Sequence, residues 1–480
     1  MNARAPLVVR LERSAQRAPG ADAIVHRDRR VTYAQLWRAV RGVAGALRAN
    51  GVRRGDRVAI VLENSPEYVA AYYGALATGA VAVALNPAAR ARELGCWIAH
   101  CGARFLYAEP GHPDLEQLTA LFPAEQRRDI RVDMGASPEE PVAIADGDLA
   151  AITYTSGTTG APKGVMLSHG NLAANAASII EYLGLTAADR ALVLLPFFYA
   201  YGGSVLHTHL AAGGSIVIEP SLAFPARIVE RMATEQVTGL PGVPSTFALL
   251  MPALAGNGSK LTTLRYATQA GGAMDSAAIA RVRECLPGVT FFAMYGQTEA
   301  TARIAYLPPA RLDDKRGSVG VAIPGVEIAV RDGEVCVRGA NVMQGYYADA
   351  VATAAVLRPG GWLHTGDLGY LDDEGFLFLQ GRRSDVIKSG AHRISPQDIE
   401  HVIAALPDVV EVAVVGTPDA MLGEAIKAVV ALRPGAALDA MSVRRHCREH
   451  LPRYKVPATV EFAARLPRTA SGKVMRHAIA

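Results

Sequence analysis

The stretch TYTSGTTGAPKGV, Thr153 to Val165, is rich in glycine, serine and threonine and carries Lys163 near its end. It follows an apolar segment, Leu149–Ile152, that reads as a strand. The hydroxyls of Thr155, Ser156, Thr158 and Thr159, with the backbone N–H groups, can donate to phosphate oxygens. Gly157 and Gly160 let the backbone come close and adopt positive φ. Lys163 adds a mobile positive charge. A Walker A loop needs a hydroxyl directly after its lysine to hold magnesium, and Gly164 has none. Taken alone, the stretch is either a phosphate-gripping loop of another kind or a flexible surface turn.

The sequence around it alternates. Arg57–Leu62 reads as a buried strand, Pro66–Ala77 as a helix and Ala80–Leu85 as the next strand. The rhythm continues through Ala191–Leu195, Ser215–Glu219 and Val289–Met294. Short β-branched strands between helical segments imply an α/β fold with much parallel sheet. The later texture is richer in β. Val326–Val337 reads as a hairpin turning at Asp332-Gly333, and Gly369–Gln380 as a second β stretch turning at Asp372–Gly375. The polar segment Gly381–Glu400 suits an exposed connector or functional loop, with Ser395 as helix N-cap and Pro396 at the first helical position. Beyond it come a helix (Asp398–Leu406), strands (Val409–Val415 and Ala425–Leu432), a helix (Ala440–Leu451) and a strand (Thr459–Ala463), enough for a small α+β domain. The boundary is placed near Arg382–Asp385, dividing residues 1–382 from 383–480.

The 480 residues are too many for one core, so two or three domains are expected. Half the residues are apolar and 20% charged, as in ordinary globular enzymes. The net charge of +4 is spread without a basic run, which gives no case for nucleic-acid binding. Cys96, Cys101, Cys285, Cys336 and Cys447 form no CxxC pattern and read as buried free thiols of a reducing cytoplasm. Arg4, Arg10 and Arg13 leave no room for a signal-peptide core, and Pro196, Gly202 and Gly203 break the most apolar run. A cytoplasmic protein without a membrane span is expected.

The loop does not stand alone. TSGTTGAPKG closely resembles the signature loop of the adenylate-forming (AMP-binding) superfamily of acyl-CoA synthetases, aryl-acid ligases, peptide-synthetase adenylation domains and luciferases. Other motifs follow in that family's order. Gly271-Gly272-Ala273 is similar to its adenine-side turn, Tyr295-Gly296-Gln297-Thr298-Glu299 to its YGxTE motif and Thr365-Gly366-Asp367 to its TGD motif. Gly381-Arg382 resembles the start of the hinge, Lys388–Arg393 the loop approaching the acceptor thiol and Pro467–Lys473 the PRTxSGK motif. One short motif can be chance; the ordered set from Thr153 to Lys473 is not.

The resemblance implies a large N-terminal domain of mixed, largely parallel sheets and helices with a β-rich subdomain, and a small mobile α+β C-terminal domain. It also implies a reaction in which a carboxylate attacks the α-phosphate of ATP, giving acyl adenylate and pyrophosphate. The Thr155–Lys163 loop would hold the pyrophosphate end. Glu299 would bind Mg²⁺ as a hard oxygen ligand. Thr298 would hydrogen-bond the α-phosphate, and Tyr295 would stack on adenine beside Gly296 and Gln297. Asp367 would accept the ribose hydroxyls with support from Arg382. Lys473 would stabilise charge developing between carboxylate and α-phosphate. Reorientation of the small domain would then bring Lys388, Ser389, Gly390 and Arg393 to the thiol, with Arg393 on either the nucleotide or the thiol donor's phosphate. Family hinges carry Asp or Lys where this chain has Ser384, a departure that leaves a small polar pivot.

Pro196–Leu210 falls where the family builds its acyl pocket, implicating Tyr199, Tyr201 and Gly202, with Gly242 and Val243 on another wall. Adenylation domains for α-amino acids carry an aspartate where this chain has Gly202, so a buried α-ammonium would lack its partner. A carboxylic acid other than an α-amino acid is expected. No added segment like the insertion that blocks CoA in fatty acyl-AMP ligases is evident, which favours CoA as acceptor. The alternative is a standalone adenylating enzyme that loads the phosphopantetheine of a separate acyl or peptidyl carrier protein, since the chain ends at Ala480 without a fused carrier. A non-catalytic relative would be expected to lose Lys473, Glu299 or Asp367, and all three are present. A luciferase-type oxygenase would share every motif.

Overall fold

In a computed structural model, residues 5–122, 132, 137–155, 163–274, 276–389, 392–419, 421–468 and 474–479 are described. The chain forms two compact units, residues 1–328 with 337–363, and residues 329–336 with 364–480.

The first unit contains two sheets flanked by helices. In one, Phe105–Ala108, Arg57–Val61, Val81–Ala84 and Leu149–Thr155 run parallel. Lys163–Ser168 then turns back antiparallel and Gly345–Tyr346 closes the edge. In the other, Ser215–Ile218, Arg190–Val193, Gly239–Gly242, Tyr266–Gln269 and Thr290–Tyr295 are parallel neighbours. The hairpin Asp22–His26/Arg29–Thr32 joins one side of this sheet and Ala305–Tyr306, followed by Ser318–Ala322, the other. Most strand segments read from the sequence fall within a residue or two of these bounds, Leu149–Ile152 runs on three residues to Thr155, and Pro66–Ala77 is a helix as read. That helix is buried along its length, and a Cβ at Gly74 would stand 2.4 Å from Val43 Cγ1, so glycine sets how closely it packs on Tyr33–Ala49.

The helix His169–Leu183 begins on a side-chain cap. Ser168 and Asn171 form a reciprocal capping box at the start of His169–Leu183. The Asn171 amide also donates to the carbonyls of Ala340 and Val342 at 2.8 Å each, tying the 340–342 segment to the helix.

In the second unit, Trp362–Leu371, which begins in the first, pairs antiparallel with Leu377–Arg382. Strands Val326–Arg331 and Glu334–Gly339 flank a turn in which Asp332 and Gly333 have φ of 50° and 77°, the left-handed pair that an Asp-Gly hairpin turn requires. The C-terminal sheet contains Ile387–Ser389, His392–Ile394, Val409–Asp419, Gly423–Leu432 and Thr459–Phe462, with helices Pro396–Ala404 and Ala440–His450 packed on it.

The polar segment 381–400, expected to be an exposed connector or a functional loop, is partly regular. It holds two short strands, because Ile387 and Ile394 are buried in the apolar cluster of the small sheet at 2% and 0% exposure. Ser395 precedes its helix as read but makes no cap hydrogen bond; its hydroxyl donates to Gln380 O at 2.5 Å. All five cysteines are free, yet only Cys101, Cys336 and Cys447 are buried, with Cys96 exposed and Cys285 half-buried. Among the described residues, no helix is long and apolar enough to cross a membrane.

Candidate active site

Thr155 and Lys163 sit opposite each other as the last pair of an antiparallel ladder. They are the two ends of the glycine-rich loop, whose Ser156, Gly157, Thr158, Thr159 and Gly160 lie outside the described residues. Gly164 is buried, and a Cβ there would meet Ile152 Cγ2 at 2.8 Å and Tyr154 and Tyr347 at 3.4 Å. The hydroxyl of a Walker loop is therefore excluded at this position by packing.

Lys163 Nζ lies 5.2 Å from the centroid of the Tyr346 ring. The Tyr346 hydroxyl donates to Glu299 Oε1 at 2.9 Å. Tyr346 was not singled out by sequence, yet it links the lysine at the end of one motif to the carboxylate of another. Glu299 is held from its backbone as well, since Met343 N–H donates to Glu299 O at 2.9 Å.

Tyr295 ends the strand Thr290–Tyr295, and Thr298–Ala300 form a single 3-10 turn. Between them Gly296 is obligatory, because a Cβ would stand 2.0 Å from Ala302 O. Thr301 and Ala302 follow with φ of 53° and 84°, an expensive local geometry for non-glycine residues. It is held by Asn341, whose amide donates to Ala300 O and Arg303 O, and by Thr301 Oγ1, which donates to Asn341 O at 2.6 Å. Gln297 Nε2 is buried without a partner among the described residues. Thr298 and Glu299 are half-buried and Tyr295 is buried at 8% exposure.

The adjacent parallel strands end at the same edge. Gly242 pairs with Gln269, and Gln269 with Ala293. Gln269 Nε2 donates to Gly272 O at 2.7 Å and fixes the exposed Gly271-Gly272-Ala273 turn, in which Gly271 has φ 84°. A Cβ on Gly271 would lie 3.2 Å from Val243 Cγ1, so the predicted adenine-side turn and the predicted pocket wall are in contact. Open α/β sheets bind ligands at the carboxyl ends of their strands, and these residues occupy such an edge.

Two cavities lie in the first unit. One of about 40 Å³ is lined by Thr153, Phe198, Tyr199, Ser204 and His207 among mostly apolar neighbours. Burial pushes the His207 imidazole down to about 3, and its Nδ1 lies 3.1 Å from the Tyr73 hydroxyl. The other, of about 10 Å³, is lined by Tyr201, Ser204, Thr268 and Arg303. Tyr199 and Tyr201 thus face different cavities. The Tyr201 hydroxyl lies 2.8 Å from both Thr268 O and Thr268 Oγ1. Gly202 faces neither; its Cβ position is filled by the backbone of Leu195 and Pro196.

In the second unit, Asp367 and Arg382 are opposite residues of the hairpin, and Arg382 Nε donates to Asp367 Oδ1 at 2.9 Å. Glu334, missed in the sequence, organises this turn. Its carboxylate accepts from Gly366 N–H at 3.0 Å and from Arg383 at 3.2 Å, with His364 Nδ1 at 2.9 Å. Thr365 donates to Val335 O and accepts from Asp367 N–H. Ser384 lies in the 3-10 turn Arg383–Asp385. Lys388 and Arg393 are cross-strand neighbours of a hairpin whose turn, including Gly390, lies outside the described residues; Ser389 is buried opposite His392. Lys473 also lies outside them. The flanks of its loop are tied together: Arg468 bridges Val474, and Met475 N–H donates to Pro467 O at 2.8 Å. Arg476 clamps that end, donating to Glu400 and to Val414 O.

These motifs and this fold are shared with known proteins. The AMP-binding enzyme family matches residues 11–347, and the AMP-binding enzyme C-terminal domain matches residues 398–473. The chain is 36% identical to a feruloyl-CoA synthase of Amycolatopsis sp over 478 residues, covering 97% of this chain and 96% of that relative. It superposes on o-succinylbenzoate CoA synthetase from Bacillus subtilis in complex with the acyl-adenylate intermediate, with TM-score 0.88, 32% identity and coverage of 99% and 98%. The same enzyme in complex with ATP and magnesium gives TM-score 0.87 at 32% identity, covering 98% of each chain. The chain belongs to the AMP-binding enzyme family.

Proposed function

We propose that this enzyme is an AMP-forming acid–CoA ligase. The observation that carries the reading is the convergence of Lys163, Tyr346 and Glu299 at the carboxyl edge of a parallel sheet, two residues on from Gln297, whose buried Nε2 has no partner among the described residues. A carboxylate with one oxygen hydrogen-bonded by a phenol suits a hard cation, and Glu299 would hold Mg²⁺. Bound there, the ion would neutralise phosphate charge.

In the first half-reaction an oxygen of the acid forms a bond to the α-phosphorus as the bond to pyrophosphate breaks. Lys163 and the loop it ends hold the departing pyrophosphate, Thr298 holds an α-phosphate oxygen and Asp367 accepts the ribose hydroxyls. Lys473 stabilises the charge that grows during attack. In the second, the CoA sulfur forms a bond to the acyl carbon and AMP leaves. We assign the pivot between these steps to Ser384, the functional division to 382/383 and the thiol route to the Lys388–Arg393 hairpin. The feruloyl and succinylbenzoyl relatives support an acid other than an α-amino acid, as does the filled space at Gly202.

The test is pyrophosphate exchange across aliphatic, aryl and amino acids, followed by a thioester assay with CoA. Exchange with a non-amino acid and an acyl-CoA product is expected. Exchange without acyl-CoA would overturn CoA as acceptor and point to a carrier-protein phosphopantetheine. No exchange with any acid would overturn the ligase reading.

A further inference from the structure

In the second unit, the helix Ala440–His450 brings His446, Glu449 and His450 to one face, because residues three and four apart are neighbours on a helix. One donor atom from each, a ring nitrogen or a carboxylate oxygen, lies within 4.8 Å of the others. The centroids of the two rings are 4.3 Å apart. His446 is half-buried, and Glu449 and His450 are exposed. Among the described residues Glu449 forms no hydrogen bond and no ion pair, although Arg445 lies one turn before it.

Both rings are already oriented. His446 Nε2 lies 3.1 Å from Val402 O, on the neighbouring helix Pro396–Ala404, and His450 Nδ1 lies 2.9 Å from His446 O. A carbonyl oxygen only accepts, so each of these nitrogens carries the hydrogen. In the neutral rings, Nδ1 of His446 and Nε2 of His450 are then left as lone-pair donors, and neither meets a partner among the described residues. Imidazoles that ligate metals commonly spend their other nitrogen on a carbonyl or carboxylate, which fixes the tautomer and the ring. The cluster also occupies the last turn of its helix, where unpaired carbonyls give the helix end a partial negative charge that favours a cation. At about 100° per residue, Arg444 and Arg448 fall on the side of the helix away from His446.

We propose that His446, Glu449 and His450 form a site for a divalent transition ion of the zinc type, separate from the Mg²⁺ site assigned to Glu299 in the first unit. Two imidazole nitrogens and one carboxylate oxygen are the donor set of a three-ligand zinc site with an open fourth position. The same set is poor for Mg²⁺, which takes oxygen donors. Zinc–ligand bonds of about 2.0–2.2 Å in tetrahedral array place donor atoms about 3.3–3.6 Å apart. Rotation of the exposed Glu449 and His450 side chains closes that gap without moving the backbone, with His446 as the fixed member. An ion held there would join the last turn of Ala440–His450, through His446, to Pro396–Ala404 and stabilise the helix pair packed on the small sheet. This site takes no part in the adenylation steps proposed above, and its loss would leave them intact.

The experiment titrates the full chain, stripped of metal by a chelator and free of nucleotide, with Zn²⁺ in competition with a chromophoric chelator. It is repeated with His446→Gln, Glu449→Gln and His450→Gln. The unaltered protein should take up one equivalent of Zn²⁺ more tightly than any other, and millimolar Mg²⁺ should not displace it. Glu449→Gln and His450→Gln should each weaken that equivalent at least about tenfold, the least that losing even a residue that only supports a metal ligand costs. Zn²⁺ should raise the Tm of the unaltered protein and not that of His450→Gln, while the two should melt close together without it. Should His446→Gln, which also loses its contact with Val402, fail to fold, the two exposed variants decide. Equal Zn²⁺ affinity in the unaltered protein, Glu449→Gln and His450→Gln would place the ion on other side chains and overturn the inference. So would displacement by Mg²⁺, or no uptake of Zn²⁺ at all.

Discussion

Gly202 tests the specificity argument and the packing together. It lies in the first turn of Ala200–Ala212, and a Cβ there would stand 2.1 Å from Pro196 O and 2.9 Å from Leu195 O. Ordinary carbon–oxygen contacts are about 3.3 Å or longer, so the first overlap exceeds an ångström. Neither oxygen can yield cheaply. Asn64 Nδ2 donates to Leu195 O at 2.8 Å, and Phe197 N–H donates to Asn64 Oδ1 at 2.8 Å, which pins the segment from both sides. Gly202→Ala should cost about 1–3 kcal/mol, the usual range for overpacking. Gly202→Asp adds a carboxylate facing carbonyl oxygens with no donor, raising the loss to about 3–5 kcal/mol. It should not confer activity on α-amino acids. Urea unfolding of both variants and pyrophosphate exchange with amino acids are the assays. Gly202→Ala within about 0.5 kcal/mol of the unaltered protein, the scatter of ordinary surface substitutions, would refute the packing argument. A stable Gly202→Asp enzyme that activates amino acids would refute the specificity argument.

Other expectations follow from single contacts. Glu334→Gln should raise the KM for ATP about tenfold, one charge-assisted hydrogen bond's worth, read by ATP titration at saturating acid. Tyr346→Phe frees one oxygen of Glu299 from its donor and should raise the Mg²⁺ concentration for half-maximal exchange by about tenfold. His207 and His169, lowered by burial to about 3 and about 4, stay neutral in the folded state while the unfolded chain takes up their protons. Stability is therefore complete above pH 6.5 and falls as pH drops toward those values, by up to about 1.4 kcal/mol per pH unit for each group. Urea unfolding between pH 7 and 5 measures the slope, and His207→Gln should reduce it. Lys473→Ala should slow adenylate formation by about 10²–10³ while sparing acyl transfer from preformed acyl-AMP. Equal losses in both steps would contradict the assigned reorientation.

Much of this was legible in the sequence because local signals carried it. Pro66–Ala77 opens on Ser65 and Pro66 and closes where Thr78-Gly79 cannot continue it. The parallel strands are short apolar runs, and the Asp332-Gly333 turn announces itself by the φ values it needs. The two short strands within 381–400 were not read because only Ile387 and Ile394 carry them into the apolar cluster of the small sheet. Within the site, residues in signature motifs were readable and their supports were not. Tyr346 and Glu334 lie 47 and 32 residues from Glu299 and Gly366, the partners they serve. No periodicity or motif marks such pairings, which only the fold creates. Tyr199 and Tyr201, both assigned to the acyl pocket by resemblance, line two cavities that share Ser204.

The most direct measurement of the central claim is pyrophosphate exchange dependent on added acid, with the thioester then assayed in the presence of CoA. The account predicts exchange with a non-amino carboxylic acid, a Mg²⁺ requirement, and conversion of the adenylate to acyl-CoA with release of AMP. ATP binding without exchange for any acid would contradict it.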